Sequence, residues 1–115
     1  MGEASLVDFR RLCTVVSTMY SGLWFNLGSA VVLPEVFVKA VAVAHNFGHC
    51  LDGLVTVNVD KQVQYRSRVN VVERPAAEGI ELIGHHEILL PLLHVAMAGR
   101  LASLAPGKKR QAQAA

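Results

Sequence analysis

Charge is scarce in this sequence: Asp, Glu, Lys and Arg make up 17% of it, against 52% hydrophobic residues. That balance excludes an intrinsically disordered chain, which would be polar and highly charged. The net charge of +2 is too small to build the concentrated basic face that nucleic acid requires, so nucleic acid is not an expected partner. The one dense basic run, Lys108, Lys109 and Arg110, sits in a Gln/Ala tail, residues 106–115, that reads as a solvated, disordered end.

Cysteine is equally sparse. Cys13 and Cys50 stand apart in apolar surroundings without the Cys-x-x-Cys spacing of a metal site. They are expected as buried thiols of a protein in a reducing compartment, the cytoplasm. A basic stretch followed by an apolar one is missing at the start, so no signal peptide is expected. The longest apolar stretch, residues 88–105, is interrupted by Pro91, His94 and Arg100. It is expected to be a buried helix and not a membrane span.

The common chemical signatures are missing too. The sequence has no Gly-x-Gly-x-x-Gly, no Gly-Lys-Ser/Thr, no Gly-x-Ser-x-Gly elbow and no His-Glu-x-x-His. No nucleophile stands out.

What is present is the alternation of an α/β protein. Leu6, Phe9, Leu12, Cys13, Val16 and Met19 recur at helical spacing over residues 5–20, with Ser5 as the N-cap and Ser21-Gly22 as the stop. A short apolar run at 23–27, bounded by glycines, reads as a buried, central strand. The Gly28-Ser29 turn leads into a helix over 33–47, with Pro34 and Glu35 in its first turn and Gly48 at its end. His45 and His49 then fall at that helix's C-terminal end, where imidazoles favour the dipole. Residues 54–59, Leu-Val-Thr-Val-Asn-Val, form a strand. Residues 62–72 read either as an extended segment or as a loop. A Pro/Gly loop over 74–79, a short strand over 80–83, a turn at 84–87 and a helix over 88–104 complete the chain. Pro91 is expected in the first turn of that helix, since deeper its ring would meet the carbonyl four residues back.

Strands alternating with helices predict a parallel sheet with helices on both faces, a Rossmann-like three-layer arrangement. At 115 residues the chain holds one such domain, over 1–105. About three strands and a helix at the start suggest part of a larger fold. The greasy composition predicts that a second copy, or a remainder of a larger protein, covers apolar surface.

Three places could carry chemistry. At the carboxyl edge of the sheet, Gly28 would let a phosphate approach the backbone and Ser29 would add a hydroxyl. Arg66 and Arg68 could clamp an anion bidentately, or pair with Asp60, Glu73 or Glu78. His86 and Glu87, with His85 beside them, are the right types for general acid–base work or a metal-dependent hydrolase. Neighbouring imidazoles point apart, however, so no metal is expected.

The stretch Gly28-Ser29-Ala30, then Pro34-Glu35 and Lys39, resembles the NAD-binding fold of deoxyhypusine synthases and of similar Rossmann-like bacterial proteins. The family's catalytic-lysine segment has no counterpart here, nor has its glycine- and aspartate-rich spermidine site. The resemblance implies a nucleotide-binding type of fold, with NAD as the cofactor and a transferase as the parent activity. The expected function is therefore the binding of an anionic small molecule, foremost a nucleotide such as NAD. The alternatives are an interaction or oligomerisation domain, and a hydrolase using the histidine turn.

Overall fold

The computed structural model describes residues 1–105; the expected disordered tail lies outside the described residues. The chain forms two compact units, divided after Gly84.

The first unit is an α/β assembly. Its elements are α1 (Gly2–Ser17), β1 (Leu23–Leu27), α2 (Val32–Asn46), β2 (Val55–Asp60), α3 (Tyr65–Ser67), a π-helical turn (Arg68–Glu73) that continues α3, and β3 (Glu78–Ile83). The three strands form a parallel sheet in the order β1-β2-β3. Parallel strands need crossovers, which α2 and the 65–73 segment provide. The α/β class and the short parallel sheet are thus as the sequence predicts, consistent with a Rossmann-like fragment.

Register divides the sheet into two unlike faces. Trp24, Thr56 and Gly79 lie side by side, as do Asn26, Asn58 and Glu81. Side chains alternate along a strand, so these two rows share one face. The other face is apolar through Leu23, Phe25, Leu27, Val55, Val57, Val59, Ile80 and Leu82.

The mixed face meets α2 and the π turn. Trp24 stacks on Phe37 of α2, with ring centroids 4.3 Å apart and planes 13° from parallel. Thr56 donates its hydroxyl proton to the Val71 carbonyl. Around these contacts gathers a core of Val16, Phe37, Ala40, Val41, Ala44, Leu51, Leu54 and Val71. Burying a side chain the size of Phe37 contributes about 1.5–3 kcal/mol.

Several expectations are corrected. α1 starts at Gly2, and Ser5 is no N-cap: it is already inside the helix and its hydroxyl bonds back to the Met1 carbonyl at 3.3 Å. Of the segment 62–72 only residues 62–64 are non-helical, with Gln64 extended; from Tyr65 to Glu73 the chain is helical. The residues this helical stretch buries are Ser67, Asn70 and Val71, two of them polar, while Tyr65 is exposed, so no apolar helical stripe marks it in the sequence. β3 begins two residues early, at Glu78, inside the expected loop. β1 is not central: β2 lies between β1 and β3, and Leu23 and Leu27 are exposed. Cys13 is only half-buried and Cys50 is exposed; both are free thiols.

The second unit, from His85, contains α4 (His86–Leu104). Its apolar residues are spread around the helix and none of its residues is buried, so the expected buried helix is not found. By length and composition alone α4, 19 residues long, could cross a membrane, with a mean hydropathy of 1.4 over an 18-residue window. Pro91 lies beyond the first turn, since the helix starts two residues before the expected Ile88.

Gly79 is where the π turn and sheet press closest. A Cβ there would run into the Val72 carbonyl oxygen and lie 2.7 Å from Val72 Cγ1. Backbone cannot yield as a flexible side chain can. Gly79→Ala is expected to lower stability by about 1–3 kcal/mol, the cost of overpacking. A urea titration followed by circular dichroism would read it, and an unchanged midpoint would show that the π turn shifts freely.

Candidate functional site

The carboxyl ends of β1 and β2 lead into the turn at residues 28–31 and the Lys61 loop. Gly28 has φ +67°, the left-handed region that favours glycine. Its N–H donates to the Val59 carbonyl at 2.9 Å, which extends the sheet by one bond. The Gly28 amide is therefore engaged and does not face a ligand, contrary to the sequence expectation. Ser29 is a junction. Its hydroxyl oxygen accepts from the Leu33 N–H at 3.3 Å, in the first turn of α2. Its carbonyl accepts two protons, from Asn26 Nδ2 and from Ser67 Oγ, each at 2.9 Å.

The second of these bonds settles the path of the arginine segment. Ser67 is fully buried between Arg66 and Arg68, and its hydroxyl ties α3 to the turn after β1. The structure thus brings the neighbourhood of Gly28 and Ser29 together with that of Arg66 and Arg68, two stretches nearly forty residues apart in sequence.

The two arginines diverge from there. Arg68 Nε lies 3.0 Å from Glu73 Oε1, both side chains more than half exposed, so Arg68 is paired within its own turn. Arg66 instead lines a groove of about 530 Å³ between α2 and the 65–74 segment, with Glu35, Val38, Lys39, Tyr65, Val69, Asn70 and Arg74. This size falls in the range of small-molecule sites, about 300–1,000 Å³. Glu35 Oε1 accepts from Asn70 Nδ2 at 2.9 Å across the groove wall. A π-helical turn widens one side of a helix and is frequent at functional sites; here it carries Asn70 and ends at Arg74, which lines the same groove as Lys39.

Beneath the turn runs a buried polar row. Asn26 Nδ2 also donates to Asn58 Oδ1 at 2.7 Å. Asn58 is fully buried, and its Nδ2 has no partner among the described residues; nor has Oε1 of Glu81. The two orphan atoms are a donor and an acceptor on register neighbours of adjacent strands.

His86 and Glu87 open α4 in the second unit. Glu87 is in the first turn, where a carboxylate suits the positive end of the helix dipole. His85 Nδ1 and Glu87 Oε2 are 3.9 Å apart and both exposed. Among the described residues no three His, Cys, Asp or Glu side chains are grouped so that they could hold a metal ion. His45 lies in the last turn of α2, and His49 follows Gly48, whose φ is +80°.

The sheet order runs without reversal. The described strands therefore offer no topological switch point of the kind that places ligands in open α/β sheets, and the groove is defined by side chains. Sequence reasoning missed Lys39 and Arg74 as lining residues. The available signal was spacing: Arg66, Asn70 and Arg74 recur every four residues, as do Glu35 and Lys39. No protein-family model, no curated protein and no solved structure matches the chain.

Removing the Asn26 amide leaves Asn58 Oδ1 without its donor in a buried setting, and one such orphan costs about 1–3 kcal/mol. Asn26→Ala should therefore destabilise the first unit by that amount or more. Arg68→Ala, which breaks an exposed pair, should cost less than about 1 kcal/mol. Equal losses in the two variants on thermal denaturation would contradict the role given to the buried row.

Proposed function

We propose that this chain is an α/β binding domain for an anionic small molecule, foremost a nucleotide such as NAD. The carrying observation is the Ser67–Ser29 hydrogen bond, which holds the arginine segment against the turn at the carboxyl end of β1. Arg66 lines the groove between α2 and this segment, which Gly28 and Ser29 do not line, and makes no ion pair among the described residues. The resemblance of Gly28-Ser29-Ala30, Pro34-Glu35 and Lys39 to the deoxyhypusine synthase fold supports the same ligand class, and Lys39 is a groove residue. A cytoplasmic setting fits the two free thiols, one of them exposed.

Calorimetry of the folded chain with NAD, ATP and inorganic phosphate tests this reading. Arg66→Ala should weaken binding by about 1.5–3 kcal/mol, the worth of a charged hydrogen bond. Arg68→Ala should leave it nearly unchanged, since Glu73 already holds that side chain. No heat with any of the three at millimolar concentration would remove the reading.

A second reading, an oligomerisation domain, is favoured by α4. Leu92, Val95 and Leu101 are each more than 60% exposed on a helix with no polar face. A helix apolar on all sides is stable when something covers it. Sedimentation at micromolar concentration should find species heavier than the 12.4 kDa monomer. Replacing Leu92, Val95 and Leu101 together by Gln should return the chain to the monomer. A monomeric parent chain without dye-binding apolar surface would dismiss self-association.

A further inference from the structure

We infer that the groove between α2 and the 65–74 segment takes a small polyanion, a ligand with at least two closely spaced negative charges, through Lys39 and Arg74 acting with Arg66. This inference rests on the anion-binding reading and narrows it. Three cations line the groove and face one carboxylate, Glu35, an excess of two positive charges. Glu35 offsets one of these charges without pairing to any of the three cations: its Oε1 accepts from the neutral amide of Asn70 at 2.9 Å. None of Lys39, Arg66 and Arg74 makes an ion pair among the described residues, although the exposed Arg11 and Arg68 do so nearby in sequence terms, with Asp8 and Glu73.

Lys39, Arg66 and Arg74 are exposed, so water and salt screen their mutual repulsion, and a bound anion removes what is left of it. A monoanion would leave the groove positive; a ligand with two or more charges neutralises it. Two of the three cations are guanidiniums, whose forked donors suit the paired oxygens of phosphates and carboxylates. Inorganic pyrophosphate and citrate share this chemistry and differ in its source. The face is built by periodicity: Arg66, Asn70 and Arg74 from the helical segment oppose Glu35 and Lys39 from α2. The Ser67 hydroxyl anchors the segment on the side away from the groove, against Ser29.

The test is calorimetry of the full chain with pyrophosphate, citrate and orthophosphate at mildly acidic pH, where orthophosphate is mainly a monoanion and the other two keep at least two charges. Pyrophosphate or citrate should bind at least tenfold tighter than orthophosphate. Lys39→Ala and Arg74→Ala should each weaken that binding about tenfold, while Arg11→Ala on α1 leaves it unchanged. Glu35→Gln keeps an acceptor for Asn70 and removes the opposing charge, so it should tighten binding severalfold. Equal affinity for pyrophosphate, citrate and orthophosphate would overturn the inference. So would folded Lys39→Ala and Arg74→Ala variants that bind as the parent does while Arg66→Ala binds weakly; the broader anion reading would then stand. Pyrophosphate binding without NAD or ATP binding would keep the polyanion groove and remove the nucleotide.

Discussion

The carbonyl oxygen of Ser29 is the atom on which the arrangement turns. It receives one proton from Asn26 on β1 and one from Ser67 on α3. A carbonyl has two lone pairs, and here both are used by side chains from separate parts of the chain. The first bond fixes the turn to the strand it leaves; the second fixes the helical segment to that turn. Asn26 gives its other amide proton to Asn58, so the same side chain also binds β1 to β2 below the turn. Without Asn26 the segment carrying Arg66 would still be linked to the turn, but the turn would be held to the sheet only through the Gly28 N–H and the Val59 carbonyl.

This explains why one face of the sheet is polar in its carboxyl half although it is covered. Burying asparagine is costly unless its groups are paired. The row Asn26, Asn58 and Glu81 meets that condition only in part, since an amide nitrogen of Asn58 and a carboxylate oxygen of Glu81 are left over. A structure built for stability alone would place aliphatic residues there, as the opposite face does with Val57 and Val59. The polar row and the π turn are two places where local rules are broken, and Ser67 touches on both: it shares the Ser29 carbonyl with Asn26 and directly precedes the π turn. Departures of this kind concentrate where a protein has something to position.

The strands at 23–27 and 54–59 and the helix ending at Gly48 were legible because their signals are local: β-branched runs, bounding glycines and a helix with Pro34 near its start. The segment 65–73 was not. Tyr65, Val69, Val71 and Val72 have strand propensity, and what makes them helical is tertiary: Val71 packs in the core and Thr56 bonds its carbonyl. The same limit hid the site. Arg66 and Arg68 differ by two residues and look alike in sequence. Helical geometry sends them to different surroundings, one to Glu73 and one to the groove. Gly28 was read as a turn glycine whose backbone a phosphate could approach; that its N–H goes to the Val59 carbonyl could be found only once β2 lay beside it.

The hydropathy of α4 poses a different problem from that of the core. Within the first unit, apolar residues such as Phe37 and Leu54 are withdrawn from water. In α4 they are not, and Ile88, Leu92, Val95, Leu101 and Leu104 are all more than half exposed. At about 0.8 kcal/mol per CH₂ left in water, such a helix is costly on its own, and 19 residues without an apolar stripe gain little from one-sided packing. The composition that makes this chain greasy is thus unevenly distributed. The first unit uses its apolar residues to hold the groove's two walls together, whereas α4 carries an excess that its own unit does not bury. Sparse charge follows the same division: the groove keeps three of the chain's cations together, and α4 holds one arginine, Arg100, among its apolar residues. The proposed ligand chemistry and the proposed association therefore fall on different units, and a change in one can be made without substituting the residues that define the other.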